Sequence, residues 1–467
     1  MAVPDWCVAV SGVSVPAPFD RGVIVAGAGV SGTGIATLFR GIGVDVLIAD
    51  DRATGEGIIT TEAARAHFGE VGAVVTSPGW RPDSPLLVDA AFASLPVIGD
   101  VEACYRLDRA GVFGPPRDWL VVTGTNGKTT TTGMLAAMMQ EAGKDTGKRA
   151  VACGNIGVAV ADALDAPQRV DVLVAELSSF QLFWSDQLVP DAAVLLNLAD
   201  DHIDWHGSFA HYAEAKARVL RATHAVAGID DQHVRELVAR TGRDDIIGFT
   251  LGKPQAGQVG VAGGRIVANL HGETVDVASA EGIEPAGAAG GLAALAASAV
   301  ALTQGARPEH IQRALAQYHV EGHRGAVVHS ANGVNWVDNS KATNPHAADS
   351  ALTGAGTVVW VAGGQLKGAA VDELIAAHAH QLRAVALMGV DREILRDALS
   401  RLAPDVPVFV TDSTDPDVAM EQVADFAAAQ AQPGDTVLLA PAAASLDMYS
   451  GMSARGNAFA AAAMRHC

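Results

Sequence analysis

Residues 119–132, WLVVTGTNGKTTTT, place a glycine-rich turn between an apolar run and a row of threonines. The apolar run predicts a buried strand, and the residues after the turn predict a helix. Backbone N–H groups of such a turn, with the N-terminus of the following helix, form a cradle for phosphate oxygens. Lys128 adds positive charge for the β- and γ-phosphates, and the Thr129 hydroxyl is suited to ligate Mg²⁺. The segment therefore predicts a nucleoside triphosphate site.

This loop is shorter than the standard G-x-x-x-x-G-K-[ST] loop, because Val122 stands where the first glycine is expected. The residues that we expect to contact ATP within it are Gly124, Thr125, Asn126, Gly127, Lys128, Thr129 and Thr130.

Length and composition limit the class of protein. At 467 residues the chain is too long for one hydrophobic core, so several domains are expected. Its net charge of −20 argues against nucleic acid or an anionic membrane as the main partner. The four cysteines have no CxxC spacing, and the N-terminus lacks the pattern of a signal peptide, so we expect a cytoplasmic protein. Residues 285–306 carry no charge, and their Ala and Gly content favours a tightly packed helix over a membrane span.

Apolar strands and helical stretches alternate along the chain, which predicts parallel sheets covered on both faces. Changes in this pattern near residues 106 and 321 predict three domains, residues 1–106, 107–321 and 322–467. Within the second domain, glycine-rich alternating residues at 248–278 predict a small β meander. Strands are expected at residues 23–26, 44–49, 73–77, 119–122, 170–175, 192–197, 358–362, 385–388, 408–410 and 437–439.

Residues 27–32, GAGVSG, form a G-x-G-x-x-G motif, and Asp50 ends the next predicted strand. Alone, this pattern is typical of NAD binding, with the acid on the ribose hydroxyls. A purely structural tight turn is the other interpretation. If ATP occupies the loop at 124–130, the first motif is available to a different nucleotide.

Three polar residues of the second domain carry candidate chemistry. Glu176 ends a buried strand, where phosphate-loop proteins commonly place an acid on Mg²⁺. His202 and His206 are four residues apart, but they are expected in a loop and lack a third zinc ligand. Lys216, taken by itself, has the properties of a solvated lysine.

The last third of the chain holds cationic clusters in predicted turns: GHR at 322–324, NSKATN at 339–344 and GGQLKG at 363–368. In an acidic protein, they supply local positive charge for phosphates and carboxylates.

These segments together resemble the Mur ligase family over essentially the whole chain. The motifs that carry the resemblance are VAGAGVSG, SPGW, IGDVE, GTNGKTT, GNIG, ELSSFQL, DDHIDWHG, YAEAK, GHR, NSKATN, GGQLKG and AAASLDMYSGMSARGNAF. The shortened phosphate loop is that of the Mur ligase and folylpolyglutamate synthase superfamily. The resemblance implies an α/β fold with an N-terminal Rossmann-like UDP-binding domain, a central P-loop-type ATPase domain with a mostly parallel sheet, and a C-terminal Rossmann-like domain.

The resemblance also implies roles for particular residues. The catalytic residues would be Lys128, Glu176, His202 and Lys216. The metal ligands would be Thr129, Glu176, His202 and an N-carbamylated Lys216, at two Mg²⁺ sites. The UDP-sugar would contact Val30, Ser31, Asp50, Asp51, Arg52, Gly79, Asn155 and His202. Arg324 and Asn339 would join the phosphate loop in holding ATP. D-Glutamate would contact Lys341, Thr343, Lys367, Ser445 and Leu446.

This chain departs from the usual pattern of the family at three places. Asp338 precedes Asn339, so that the contact to the nucleotide at 339 would be neutral. The usual H-N-x-x-N signature near adenine is absent from residues 288–293, and Met452 stands where an aromatic residue is common.

The activity implied is an ATP-dependent acid–amino-acid ligation. D-Glutamate would be added to UDP-N-acetylmuramoyl-L-alanine through an acyl phosphate, in cytoplasmic peptidoglycan precursor synthesis. All partners would be small molecules, and we expect a monomer with no nucleic-acid partner and no membrane insertion. Alternatives are another Mur-type or folylpolyglutamate-type ligase with a different amino acid, an NAD-dependent oxidoreductase built on residues 27–32, and a GTPase. The oxidoreductase interpretation leaves residues 124–129 unexplained, and the GTPase interpretation lacks an N-K-x-D run.

Overall fold

The computed structural model describes residues 14–270, 272–285, 287–319, 322–323, 325–353 and 355–466. Helices and strands alternate and form three mostly parallel sheets, which confirms the predicted α/β class. The described residues divide into two compact units. One holds residues up to 198 together with 210–318, and the other holds 199–209 together with residues from 319 onward.

The first sheet has five parallel strands in the order β3-β2-β1-β4-β5. The strands are β1 (Val23–Ala26), β2 (Val46–Ala49), β3 (Ile58–Ile59), β4 (Ala73–Thr76) and β5 (Val97–Gly99). The helices are α1 (Val30–Gly41), α2 (Thr61–Ala64), α3 (Pro85–Phe92) and α4 (Asp100–Arg109). The chain leaves β1 and β4 toward opposite edges of the sheet, so a crevice opens at their carboxyl ends. Open α/β sheets bind ligands at such a point.

The second sheet has nine strands in the order β14-β13-β12-β11-β10-β9-β6-β8-β7. They are β6 (Asp118–Thr123), β7 (Ala150–Gly154), β8 (Val172–Glu176), β9 (Ala192–Leu195), β10 (His224–Gly228), β11 (Ile247–Phe249), β12 (Gln258–Ala262), β13 (Arg265–Leu270) and β14 (Glu273–Ser279). The last three strands pair antiparallel, as the predicted meander requires. The chain diverges from β6 and β9, which are neighbours, so the crevice of this sheet lies at their carboxyl ends.

Helices of this part of the chain include one that is buried over most of its length. The helices are α5 (Lys128–Thr146), α6 (Val160–Leu164), α7 (Ser179–Phe183), α8 (Ile203–His206), α9 (Phe209–Ala217), α10 (Gln232–Thr241), α11 (Ala288–Thr303) and α12 (Pro308–Gln317). Residues 293–301 of α11 are all buried, and all of them except Ser298 share one core cluster with Met134, Leu135 and Met138 of α5. The uncharged run at 285–306 thus contains a packed core helix, α11, as predicted. Among the helices that the structure describes, none has the length and apolar composition needed to cross a bilayer.

The third sheet has six strands in the order β15-β16-β20-β17-β18-β19. They are β15 (Ala326–Ala331), β16 (Val334–Asp338), β17 (Val358–Gly363), β18 (Leu382–Met388), β19 (Val408–Val410) and β20 (Thr436–Leu439). The helices are α13 (Pro345–Leu352), α14 (Asp372–His378), α15 (Arg392–Leu402), α16 (Pro416–Gln430) and α17 (Met452–Ala463). Because β20 inserts in parallel between β16 and β17, the loops that follow these three strands share one edge.

A buried ion pair joins the end of α4 to the start of β6. Arg117 and Asp108 are 3% and 0% exposed, and their Nη1 and Oδ1 atoms are 2.6 Å apart. The second oxygen of Asp108 accepts hydrogen bonds from the Arg117 amide and the Trp119 indole. Arg117 also donates to the carbonyls of Val170 and Leu164. Each polar atom of this pair is therefore held by partners on several elements.

We predict that Arg117→Ala lowers the free energy of unfolding by about 3–5 kcal/mol, because it leaves a buried carboxylate without its cation. Urea denaturation followed by circular dichroism measures the loss. The control is Arg240→Ala, which removes an ion pair whose side chains are 64% and 56% exposed. It should change the stability by less than about 1 kcal/mol. Equal losses in the two variants would contradict the prediction.

Candidate active site

The phosphate loop follows β6 directly, and α5 begins at Lys128. Gly127 has φ +79°, a left-handed conformation that favours glycine. Gly124 packs against the end of β9, where an added Cβ would lie 2.8 Å from the Leu196 Cβ. The two glycines therefore have different structural roles. Gly127 allows the turn, and Gly124 allows two neighbouring strands to approach each other at the crevice.

Asn197, which the sequence analysis did not single out, fixes the shape of the loop. Its carbonyl accepts the Thr125 amide at 3.0 Å. Its side-chain Oδ1 accepts the Asn126 amide at 2.8 Å, and its Nδ2 donates to the Asn126 carbonyl at 3.1 Å. The Thr125 hydroxyl lies 2.8 Å from the hydroxyl of Tyr212 on α9. Both partners are distant in sequence, so no local pattern reveals them.

The two predicted catalytic lysines approach the same loop. The Lys128 ammonium donates to the Thr125 carbonyl at 2.7 Å. Lys216 is only 2% exposed, and its ammonium donates to the Gly124 carbonyl at 2.8 Å and to the Thr123 hydroxyl at 3.3 Å. The interpretation of Lys216 as a solvated lysine is therefore wrong. The segment YAEAK, taken alone, does not show whether its lysine faces inward or outward, so only the tertiary structure could decide.

Glu176 ends β8 and lies opposite Val122 of β6 in the parallel ladder. It is 1% exposed, and its Oε1 accepts a hydrogen bond of 2.9 Å from Asn155 Nδ2. Its Oε2 is buried without a hydrogen-bond partner among the described residues. Since buried carboxylate oxygens are almost always satisfied, this atom fits a divalent cation, which prefers such oxygen ligands.

The first sheet presents a different arrangement of acids. Asp50 accepts the amides of Ala28, Arg52 and Ala53 at 2.8, 2.8 and 3.0 Å. These hydrogen bonds lower the pKa of Asp50. One carboxylate oxygen thus holds the glycine-rich turn at Ala28, and the other holds the loop after β2. The carboxylate therefore has less capacity for the ribose contact typical of NAD binding.

The other predicted residues of this sheet surround the same crevice. Asp51 accepts the amide and hydroxyl of Thr61, both at 2.8 Å. The Ser31 hydroxyl donates to Asp100 Oδ2 at 2.7 Å. Val30, at the start of α1, is 83% exposed, and Gly79 is an exposed residue of the loop after β4.

In the second unit, the loops after β16, β17 and β20 carry the residues predicted for D-glutamate. Lys341 and Thr343 lie in the loop after β16 and are half-buried. Lys367, with φ +54°, lies after β17. Ser445 is 4% exposed and Leu446 is 69% exposed, and both follow β20. Gln365 and Ala444 exchange backbone hydrogen bonds of 2.9 Å, which pairs the second loop with the third.

Arg455 of α17, which the sequence analysis did not assign a role, ties these three loops together. It is 1% exposed. Its guanidinium donates to the hydroxyl and carbonyl of Ser340, to the Gly363 carbonyl and to the Ala443 carbonyl, at 2.9–3.3 Å. Burial lowers the pKa of Arg455 to about 10, so it stays charged at neutral pH.

Asp338 is a structural residue in this unit. Its oxygens accept the Ser340 amide at 2.9 Å and face His323 Nδ1 at 2.5 Å. The neighbouring Asn339 is half-buried and donates its amide to Leu439. Arg324 lies outside the described residues.

His202 precedes α8 with a left-handed φ of 54°, and its Nε2 lies 3.6 Å from Asp201. Residues 203–206 form a helical turn, so the prediction that His206 lies in a loop is wrong. One turn is too short for a periodic pattern to indicate it. Across the part of the chain that the structure describes, no group of three or more His, Cys, Asp or Glu residues is arranged to hold a metal ion.

Comparison with known proteins identifies the family of this chain. Residues 122–286 match the Mur ligase middle domain, and residues 323–443 match the Mur ligase glutamate ligase domain. The UDP-N-acetylmuramoylalanine–D-glutamate ligase of Corynebacterium efficiens is 56% identical over 451 residues, 95% of this chain and 94% of that protein. The chain belongs to the Mur ligase family. The ligase of the same name from Mycolicibacterium smegmatis is 44% identical over 485 residues, covering 96% and 97% of the two chains.

Solved structures agree with the fold of this Mur ligase. The MurF ligase from Thermotoga maritima in complex with ADP is similar with a TM-score of 0.57 and 17% identity, over 90% of this chain and 96% of that one. MurC, a UDP-N-acetylmuramate–alanine ligase from the same organism, has a TM-score of 0.56 and 16% identity, over 95% and 99%. The middle-domain match contains the phosphate loop, Glu176 and Lys216. The glutamate ligase match contains Lys341 and Lys367.

We predict that Gly124→Ala lowers kcat/KM for ATP by about 100-fold, because the new methyl group collides with Leu196 and displaces the loop. Steady-state release of ADP measures it. Gly69→Ala is the matched control, since a methyl group there meets nothing within 4 Å. A Gly124→Ala enzyme as active as the control would show that the loop tolerates the shift.

Proposed function

We propose that this Mur ligase adds D-glutamate to UDP-N-acetylmuramoyl-L-alanine at the expense of ATP, in peptidoglycan precursor synthesis. One observation carries the proposal: a buried glutamate with an unsatisfied oxygen ends the strand beside the phosphate loop. This pairs a triphosphate cradle with a cation site. The curated relatives named for this reaction supply the substrates.

The proposed reaction has two steps. A carboxylate oxygen of the L-alanine residue attacks the γ-phosphorus of ATP, the bond to the β,γ-bridging oxygen breaks, and ADP leaves. The amine of D-glutamate then attacks the carbonyl carbon of the acyl phosphate. Inorganic phosphate leaves, the amine gives up a proton, and an amide remains.

The phosphate loop is proposed to bind and stabilise the phosphates of ATP during the first step. The amides of residues 127–130, at the N-terminus of α5, are proposed to donate to the β- and γ-phosphates. The amides of Thr125 and Asn126 donate to Asn197 and so hold the shape of the loop. Lys128 offsets the charge that spreads over the transferring group, which is the main contribution of a protein to this chemistry. Asn339 and Arg324 are proposed to contact the rest of the nucleotide.

Mg²⁺ fits the oxygen ligands of this site. Thr129 and Glu176 would hold the ion, and it would neutralise phosphate charge when bound. Lys216 as an ammonium cannot ligate a cation, because it has donors and no acceptor. N-carbamylation would replace the ammonium with carboxylate-like oxygens, and we propose it for a second ion, with His202 as a further ligand.

The remaining substrates are assigned to the other two sheets. The crevice between β1 and β4 would take the UDP-sugar through Val30, Ser31, Asp51, Arg52 and Gly79. There Asp50 acts mainly by holding the turn. Asn155 is proposed to meet the same substrate.

D-Glutamate brings two carboxylates, which require cations. We assign it to the three loops fastened by Arg455, where Lys341 and Lys367 provide the charge. Thr343, Ser445 and the exposed Leu446 complete the proposed contacts.

The domain limits at residues 106 and 321 remain proposals, supported by one sheet in each segment. We also propose that the protein is a cytoplasmic monomer, as expected from the sequence.

The proposed activity predicts ADP release that requires both UDP-N-acetylmuramoyl-L-alanine and D-glutamate. Coupled detection of ADP with a panel of L-alanine, meso-diaminopimelate, L-glutamate, D-alanyl-D-alanine and D-glutamate decides the acceptor. Lys128→Ala should reduce the rate by about 10²- to 10³-fold. Release of ADP with another amino acid alone would reassign the acceptor, and a fully active Lys128→Ala enzyme would remove the loop from the reaction.

The carbamate proposal predicts that Lys216→Ala is inactive and regains part of its activity with added acetate or formate, whose carboxylate replaces the missing oxygens. Lys144→Ala, at an exposed lysine, is the control and should need no additive. Full activity of Lys216→Ala without any additive would refute the proposal.

A further inference from the structure

Asp100 is a buried acid for which the proposed reaction has no direct use. It is the first residue of α4 and is 8% exposed. Its Oδ1 accepts the Val101 amide at 2.9 Å, and its Oδ2 accepts the Ser31 hydroxyl at 2.7 Å. Ser31 is the second residue of α1, 69 positions away. The contact therefore joins a buried carboxylate to the residue that faces the crevice of the first sheet.

The direction of the Ser31 proton decides what this residue offers a ligand. A hydroxyl has one proton and two lone pairs. When Asp100 is ionised, that proton points at Asp100, and Ser31 presents only lone pairs to the crevice. The bridging and free oxygens of a diphosphate also present only lone pairs. The two groups then repel each other, although the amides at the start of α1 attract the same diphosphate.

A proton on Asp100 Oδ2 reverses this arrangement. Asp100 then donates to Ser31 Oγ, and Ser31 can turn its own proton toward a phosphate oxygen. No other atom needs to move, because Oδ1 continues to accept the Val101 amide. One proton from solvent is taken up, and one hydrogen bond to the diphosphate is gained.

We propose that Asp100 is a positioning residue that couples binding of the sugar nucleotide's diphosphate to uptake of one proton. The inference rests on the proposed UDP-sugar site and adds a regulatory property to it. Asp100 acts through Ser31 and does not touch the substrate.

The surroundings of Asp100 favour its protonated form. Burial raises the pKa of Asp100 above the ordinary aspartate range. Strands β4 and β5 carry no titratable side chain. Besides two arginines, α4 carries the titratable groups Glu102, Cys104, Tyr105 and Asp108. The helices packed against it add Asp162 on α6 and, at the far end of α1, Arg40. The cations of α4 are engaged elsewhere, since Arg106 pairs with Glu102 and Arg109 with Asp191.

The sign of the pH dependence follows from linkage. If the complex holds one more proton than the free enzyme, affinity falls as pH rises through the pKa of Asp100 in the free enzyme. The dissociation constant then rises by up to about tenfold per pH unit, until the pH passes the higher pKa of Asp100 in the complex. Below that pKa the proton is already in place, and affinity is flat.

Titration calorimetry of the full-length enzyme with UDP-N-acetylmuramoyl-L-alanine, without ATP or D-glutamate, tests the proposal. This ligand is a diphosphate diester, so it has no phosphate that titrates near neutrality. Repeating the titration in buffers of different ionisation enthalpy gives the number of protons taken up. We expect the wild-type enzyme to take up protons at pH values between the pKa of Asp100 in the free enzyme and its higher pKa in the complex, so the titration is repeated over a series of pH values.

Asp100→Asn mimics the protonated acid, because its Nδ2 donates to Ser31 while its Oδ1 accepts from Val101. Its affinity should lack this dependence on pH, and it should take up fewer protons than the wild type in the same pH range. Ser31→Ala, at a half-buried position, should also lose the linkage and bind more weakly. The matched control Asp162→Asn, on the neighbouring helix, should keep the wild-type uptake.

Wild-type binding without proton uptake, or equal uptake in the wild type and Asp100→Asn, would overturn the inference and leave the proposed function intact. Absence of any binding heat in the wild type would instead count against the proposed sugar-nucleotide site.

Discussion

The approach of β6 and β9 at their carboxyl ends is the constraint on which the candidate active site depends. Gly124 allows this approach because a side chain there would meet Leu196. Once the strands are that close, Asn197 can bond both Thr125 and Asn126. Lys216 donates a hydrogen bond to the Gly124 carbonyl of the same loop. The curvature of the phosphate loop is thus imposed by the neighbouring strand as much as by its own glycines.

The sequence was sufficient for the strongly apolar parts of the fold. VIVA, AVVT and VVWVA predicted buried strands because parallel strands covered on both faces need continuous apolar runs. Strand β7, AVACG, at the edge of the second sheet, and β16, VNWVD, were missed because small or polar residues interrupt the pattern. The candidate site was predicted where a motif is local, as in residues 124–129. Asn197, Tyr212, Asp100 and Arg455 were not assigned roles, since their functions arise only from contacts with distant segments.

In each of the three sheets, a different kind of side chain holds the loops at the carboxyl ends of the strands. In the first, the carboxylate of Asp50 joins the glycine-rich turn to the loop after β2 through backbone amides. In the second, an amide side chain, Asn197, holds the phosphate loop. In the third, the guanidinium of Arg455 holds three loops at once. Each ligand-facing loop is shaped by a side chain that has no need to touch the ligand, which leaves the exposed groups available for binding.

Arg455 reaches mostly main-chain oxygens: three of its four acceptors are carbonyls, which every amino acid possesses. Replacement of the outward-facing side chains in these loops therefore leaves the anchor unchanged. A scaffold held in this way can acquire a new acceptor preference by a few point substitutions while its architecture persists. The buried arginine thus separates the evolution of specificity from the preservation of shape.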